Sequence, residues 1–160
     1  MTKIEEIKKE YLEFQKKHKL PDFSLLDEYF EIRAIDLEKG DLLNSIVRAI
    51  LNKLGTFTDY LYSAINPNTN SIYSIELYNN LNEEEKRSVL EFYYEIIPHQ
   101  LEAALALAGK AKDKVDYINK MYSNYPEIKA RFTESLILFN ETWKNIIKKE
   151  SKRGKKGLLG

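Results

Sequence analysis

Apolar residues recur at every third or fourth position along most of the chain, which is the spacing of one face of an α-helix. The most regular series steps by four, four, three, four and three residues through Ile128, Phe132, Leu136, Phe139, Trp143 and Ile146. Pro126 stands two residues before this series, where proline suits the first turn of a helix. The pattern therefore predicts a final helix over residues 126–149.

A capping pair predicts the first helix. Thr2 and Glu5 have the spacing at which each side chain binds the other's backbone N–H. We expect this helix to end near Lys19, because Leu20-Pro21 follows and proline cannot continue a helix. Its predicted apolar face comprises Ile4, Ile7, Tyr11, Phe14 and His18.

Two further helices are expected before residue 66. Ser24, with Asp27 three residues later, predicts the start of a short helix whose leucine and aromatic side chains belong in the core. After Gly40 a long series of apolar residues extends to about Ile65. Its apolar face is wide, which is typical of a central helix.

The next segments are short elements around one more long helix. Turn residues at 66–70 predict a loop, followed by a helical turn or two from Ser71 to Tyr78. Asn82 with Glu85 predicts the start of a helix that ends at Gly109, and Pro98 inside it is expected to kink or split it. The predicted buried stripe of this helix is Leu90, Tyr93, Ile97, Leu101, Ala104 and Ala108. A shorter helix carrying Val115, Ile118 and Tyr122 is expected to end near Asn124.

These elements together predict an all-α protein, an irregular helical bundle of five to seven helices built around residues 41–65, 83–108 and 126–149. The domain is expected to span residues 1–149. Residues 150–160 are rich in lysine and glycine and predict a basic, flexible tail.

The composition narrows the chemistry further. The chain of 160 residues has no cysteine, which excludes disulfides, thiolate nucleophiles and cysteine-based metal sites. No apolar run approaches the roughly 18 residues of a membrane-spanning helix. The sequence enters charged amphipathic residues directly after Met1, without an apolar leader, so we expect a cytoplasmic protein.

Charge is divided unevenly along the chain. Residues 144–160 contain seven basic side chains and one acidic side chain and carry +6, while the first 143 residues carry −6. Such asymmetry concerns binding partners rather than the fold. One interpretation is that the tail binds a partner, either another protein or nucleic acid, through Lys152, Arg153, Lys155, Lys156, Leu158 and Leu159. The alternative is that these residues only keep the protein in solution.

One group of residues has the types needed for a metal site. Glu91, Glu95, His99 and Glu102 follow one another at intervals of four, four and three residues and share a helix face. Di-iron bundles use a Glu-x-x-His motif from each of two helices, whereas the order here is reversed and has no second copy. Glu95, His99 and Glu102 are therefore candidates only, and we predict a solvated face with no metal or cofactor.

Tyrosine is frequent, with eleven residues. Three groups of tyrosines could line an amphipathic groove for a peptide or for stacked bases. They are Tyr60 with Tyr62, Tyr93 with Tyr94, and Tyr117 with Tyr122 and Tyr125. The structural interpretation is that they surround the core, with rings buried and hydroxyls in water.

Two short stretches resemble a known group of proteins. They are Leu-Pro-Asp-Phe-Ser-Leu-Leu-Asp-Glu-Tyr-Phe-Glu-Ile at residues 20–32 and Tyr-Pro-Glu-Ile-Lys at 125–129, before a helix that contains tryptophan. In these pieces and in its layout the chain resembles a group of small, uncharacterised, all-helical archaeal proteins. The resemblance implies an archaeal-type cytoplasmic protein and supplies no activity, cofactor or partner.

The favoured hypothesis is a non-enzymatic binding or adaptor module. It would use a helical groove on an acidic body, while the basic tail adds attraction to an acidic partner. The first alternative is a nucleic-acid- or ribosome-associated protein that binds through the tail, for which binding should fall steeply with salt. The second is a metal-dependent enzyme that uses Glu95, His99 and Glu102.

Overall fold

The computed structural model describes residues 2–36, 41–67 and 71–157, with side chains of the last helix described up to Gly154. This part of the chain contains helices and no strand. The elements are α1 (Lys3–Lys17), α2 (Phe23–Phe30), a 3-10 helix (Ile32–Ala34), α3 (Leu42–Ile65), α4 (Ile72–Asn80), α5 (Glu83–Ala108) and α6 (Ala111–Gly157). The predicted all-α bundle of five to seven helices is confirmed.

Two predicted capping pairs are present. The Thr2 backbone N–H donates to Glu5 Oε2 at 2.7 Å, and the Glu5 N–H donates to Thr2 Oγ1 at 3.3 Å. The corresponding distances between Asn82 and Glu85 are both 2.8 Å. Each pair satisfies backbone donors that a helix start leaves unpaired, so α1 and α5 begin where the sequence predicts.

The predicted start of α2 at Ser24 is wrong. Asp22 caps this helix, because its Oδ1 accepts hydrogen bonds from the N–H groups of Ser24 at 2.8 Å and Leu25 at 3.4 Å. The helix therefore begins at Phe23. Asp22 has a non-helical backbone, with φ −59° and ψ 138°, so it stands outside the helix with its carboxylate placed to accept from the first turn.

The chain forms two compact units. One comprises Met1–Thr56 and Ile96–Ile128, and the other comprises Phe57–Glu95 and Lys129–Gly160. Helices α3, α5 and α6 contribute residues to both units. Buried residues of the first unit include Ile7, Tyr11, Leu26, Phe30, Ile46, Ile50 and Ile118. Those of the second include Leu61, Leu77, Phe92, Phe139 and Ile146, together with Phe57 and Phe132, whose rings stack at 3.9 Å.

Helix α5 is continuous through Pro98, so the proline does not split it. The predicted buried stripe is wrong, because the buried residues lie mostly one position earlier: Val89, Phe92, Ile96, Ala103 and Ala106. Leu101 and Leu105 are 61% and 73% exposed. Apolar residues occur on both sides of this helix, and periodicity alone cannot say which side faces the core.

Helix α6 also runs through its proline. The predicted break near Asn124 and the predicted helix start at Pro126 are both wrong, since one helix covers Ala111–Gly157. Buried side chains at Met121, Tyr125 and Ile128 continue past the proline. Burying an aromatic or aliphatic side chain contributes about 1.5–3 kcal/mol, so several of them offset the roughly 3 kcal/mol that an internal proline costs.

The end of α6 lies eight residues beyond the predicted end at 149. The division of the protein into a domain of residues 1–149 and a flexible tail of residues 150–160 stays a prediction. Gly40 and residues 68–70 of the predicted loop lie outside the described residues. Among the helices that the structure describes, none has the length and apolar character needed to cross a membrane.

Candidate functional site

A cleft of about 440 Å³ lies in the second unit, between α6 and the turn that joins α4 to α5. We call it the basic cleft. It is lined by Asn80, Asn82, Glu85, Thr142, Asn145, Lys148, Lys149 and Lys152. The lining is polar throughout, which suits a charged ligand surface rather than an apolar one.

On the side of the cleft formed by the α4–α5 turn, the side chains are held by hydrogen bonds to residues three or four positions away. Asn80 Nδ2 donates to the Glu76 carbonyl oxygen at 2.8 Å, which leaves Asn80 Oδ1 free to accept. The Glu85 carboxylate accepts the Asn82 N–H in the capping pair described above. These amides and the carboxylate are therefore placed by the helix ends themselves.

Three lysines supply the charge of the cleft. Lys148, Lys149 and Lys152 follow one another on α6 at the spacing of a single face, and all are exposed. Lys149 Nζ donates to Asn80 Oδ1 at 3.3 Å. In the described part of the chain none of the three ammonium groups forms an ion pair with a carboxylate. Glu85 is the acidic side chain among the lining residues, so the lining carries a net +2.

The neighbouring cations on α6 are neutralised along the helix instead. Lys144 Nζ lies 3.0 Å from Glu141 Oε1, and Arg153 Nη1 lies 3.2 Å from Glu150 Oε1. Both pairs are exposed, and exposed ion pairs contribute only about 0–1 kcal/mol. They can exchange partners at little cost.

The structure places the predicted tail residues as follows. Lys152 lines the basic cleft and Arg153 is exposed one residue later. The backbone of Lys155 and Lys156 belongs to α6, while their side chains and the residues Leu158 and Leu159 lie outside the described part. The tail prediction missed Lys148, Lys149 and the three asparagines, because the sequence does not show that the α4–α5 turn lies beside α6.

Of the three metal candidates, His99 and Glu102 lie near each other in the described residues, and both carboxylates are paired with cations. The Glu95 carboxylate forms an ion pair with Arg131, and Glu102 Oε2 lies 2.7 Å from Lys120 Nζ. The hydrogen bond from Lys120 lowers the pKa of Glu102. His99 Nδ1 lies 3.8 Å from Glu102 Oε2, beyond hydrogen-bond distance. Within this part of the chain no group of three or more histidine or acidic side chains could hold a metal ion.

A second concave surface belongs to the first unit. This groove of about 720 Å³ lies along one face of α3, including Asn44, Arg48 and Asn52, and against the segment after α2. Lys53 Nζ lies 3.5 Å from Glu31 Oε2, and the lining holds two basic and two acidic side chains. Its charges cancel, so it lacks the electrostatic character of the basic cleft.

The tyrosine groups divide between surface and core. Tyr62, Tyr93 and Tyr94 form a partly exposed series with ring centroids 5.8 and 5.9 Å apart. Tyr117 and Tyr125 are buried, and the Tyr117 hydroxyl donates to the His99 carbonyl oxygen at 2.9 Å. The rings of Tyr117 and Tyr125 are therefore in the core, as the structural interpretation expects, but the Tyr117 hydroxyl bonds the backbone and not water. The first two groups leave rings at the surface.

No protein-family model matches the chain, and neither a curated protein nor a solved structure matches it significantly. Function is therefore argued from the residues of the site.

Proposed function

We propose that the protein is a non-enzymatic binding module, an adaptor that holds an acidic partner protein against the basic cleft. The observation that carries this proposal is the placement of Lys148, Lys149 and Lys152 around one cleft without carboxylate partners among the described residues. Like charges held close together repel, so an arrangement of this kind favours a ligand that brings negative charge.

The division of charge supports the same proposal. The three lysines of the basic cleft belong to residues 144–160, which carry +6, and the remaining residues carry −6. Opposite charge on two parts of one molecule orients an approaching acidic protein and raises its association rate at low salt. The acidic residues also repel anionic partners that approach other surfaces.

Nucleic acid is the alternative ligand of such lysines. Tight binding to nucleic acid uses many phosphate contacts, commonly six to ten, and each releases counterions. The cleft offers three lysines and also contains Glu85, whose carboxylate repels a phosphate. An acidic protein segment can add apolar contacts and hydrogen bonds to its charge contacts and can place its carboxylates away from Glu85.

The non-enzymatic part of the proposal rests on the pairing of charged groups. Glu95 and Glu102 each face a cation, Arg131 and Lys120, so neither is placed as a free general base or metal ligand. Acid–base catalysis needs a group within reach of a substrate proton and poised to exchange it. The cleft lysines are exposed, which favours binding over catalysis.

The test is a titration of labelled polyglutamate and a single-stranded oligonucleotide of equal charge. The triple variant Lys148→Glu/Lys149→Glu/Lys152→Glu should lose polyglutamate binding at low salt. The control is Lys8→Glu/Lys9→Glu/Lys16→Glu, which changes the same number of exposed lysines on α1. An equal loss of polyglutamate binding in both variants would show that only the net charge of the protein matters, which would contradict the proposal. Tighter binding of the oligonucleotide, with a steep salt dependence, would favour the nucleic-acid alternative.

A further inference from the structure

Helix α6 has an exposed face with several large apolar side chains. Ile137 and Ile147 are 57% and 53% exposed, and Leu136 is 36% exposed. Large apolar side chains grouped along one helix face of a water-soluble surface are typical of sites where another chain packs. All of these residues belong to the second unit.

Aromatic residues stand at the edge of this face. Trp143 is partly exposed, and its ring centroid lies 5.1 Å from that of Tyr73 in α4. Tyr60 in α3 is half exposed, and its ring centroid lies 6.0 Å from that of Phe132 in an edge-to-face arrangement. Tryptophan and tyrosine held in place by neighbouring rings are the residue types that contribute most at protein interfaces.

Lysines border the apolar face along its length. Lys144 lies two turns after Ile137 on the same stripe, and Lys148 directly follows Ile147. Lys144 is paired with Glu141 at 3.0 Å across the surface, an exposed pair that an incoming carboxylate can replace. The face therefore combines an apolar stripe with a basic edge.

The exposed leucines of α5 differ in this respect. Leu101 and Leu105 are also exposed, but α5 has no lysine or arginine after Arg87, and both carboxylate oxygens of Glu102 already bind the nearby Lys120. Charge complementarity thus selects the α6 face and indicates what binds it. A partner that matches both features has apolar residues on one side and carboxylates beside them.

We propose that the α6 face formed by Leu136, Ile137, Trp143, Lys144, Ile147 and Lys148 is the docking site for an acidic amphipathic helix. This inference rests on the proposed function and names its partner: a helix whose apolar residues lie on the isoleucines and tryptophan while its carboxylates meet the lysines. The face extends over about three helical turns, roughly 18 Å at 1.5 Å per residue, so a partner helix of similar length covers it.

Trp143 provides the measurement, because it is the single tryptophan of the chain. The probe is a synthetic peptide of about 18 residues, long enough to form a helix on a surface, with leucines at helical spacing, glutamates elsewhere and no aromatic residue. A scrambled peptide of the same composition is the control. Titration of the full chain should shift Trp143 emission to shorter wavelength, with at least tenfold tighter binding of the amphipathic peptide.

Two variants separate this inference from the proposed function. Ile137→Ser/Ile147→Ser should lose the tenfold preference while still binding polyglutamate, and Leu101→Ser/Leu105→Ser should retain the preference. All four side chains are more than half exposed, so both variants should fold. Equal affinity for the two peptides overturns the inference and leaves the proposed function standing. The proposed function itself is overturned if polyglutamate binding is lost equally in the triple glutamate variant of Lys148, Lys149 and Lys152 and in the α1 control variant.

The α6 face could instead bind a second copy of the chain, and a measurement of oligomeric state distinguishes this case. Sedimentation velocity on the full chain should show a monomer. A dimer that Ile137→Ser/Ile147→Ser dissociates, together with no emission change on peptide addition, overturns the proposal in favour of self-association.

Discussion

The ring centroids of Tyr73 in α4 and Trp143 in α6 lie 5.1 Å apart with an interplanar angle of 50°. Burial, and secondarily the neighbouring Tyr60, raise the pKa of Tyr73. The pair connects α4 to the part of α6 that carries the isoleucines and lysines. It therefore helps to hold the proposed docking face in place.

Removal of this aromatic contact should expose the tryptophan. Tyr73→Ala is expected to shift Trp143 emission to longer wavelength and to lower stability by about 0.5–1.5 kcal/mol beyond the loss of buried area. Tyr73→Leu keeps apolar cover without the ring and should give a smaller shift. Fluorescence during urea denaturation reports both quantities, and unchanged emission in Tyr73→Ala would show that the rings do not meet.

The cap of α2 can be located by a pair of alanine variants. Asp22→Ala should lower stability by about 1 kcal/mol, because two backbone N–H groups lose their acceptor. Ser24→Ala should change stability by less than about 0.5 kcal/mol, since it lies inside the helix. Chemical denaturation measures both. A larger loss for Ser24→Ala would restore serine as the capping residue.

The continuity of α6 predicts the effect of replacing its proline. Pro126→Ala should raise stability by up to about 3 kcal/mol, because alanine supplies the missing backbone N–H and removes a steric clash. Pro21→Ala is the control, since this residue precedes α2 and no helical hydrogen bond is gained there. If Pro126→Ala instead lowers stability, the proline begins a separate helix, where it is favourable.

Stability should fall at alkaline pH. Burial, with smaller contributions from Glu31 and Tyr29, raises the pKa of Tyr125 to about 12, and burial also raises the pKa of Tyr11 and Tyr117. A raised folded-state pKa gives stability that is fully present below the unfolded value near 10 and is lost as pH rises through the folded value. Urea midpoints should therefore be constant from neutral pH to about pH 10 and then decrease toward pH 12.

A phenylalanine variant provides the check on this pH dependence. Tyr117→Phe removes the hydrogen bond to the His99 carbonyl, at a cost of about 1 kcal/mol near neutral pH, and should reduce the alkaline loss. An alkaline loss of the same size in Tyr117→Phe would show that this phenol does not contribute to it.

Local features of the sequence predicted more of the fold than of the site. The capping pairs at Thr2 and Asn82 fixed two helix starts, because both partners lie within one turn. The predicted helix start at Pro126 was wrong, because the energy cost of an internal proline is offset here by buried neighbours, and these depend on tertiary contacts. The buried side of α5 and the lining of the basic cleft depend on which helices pack beside each other. Local patterns in a single sequence do not show which helices these are.

The measurement that tests the central claim most directly is capture from an extract of the source cells on immobilised full-length protein, before and after nuclease treatment. The cleft variant Lys148→Glu/Lys149→Glu/Lys152→Glu and its α1 control are compared with the unmodified chain. We expect an acidic protein to be retained by the unmodified chain and by the control, and lost from the cleft variant, regardless of nuclease. Equal retention by all three, or retention that nuclease abolishes, would contradict the claim that the basic cleft holds an acidic protein partner.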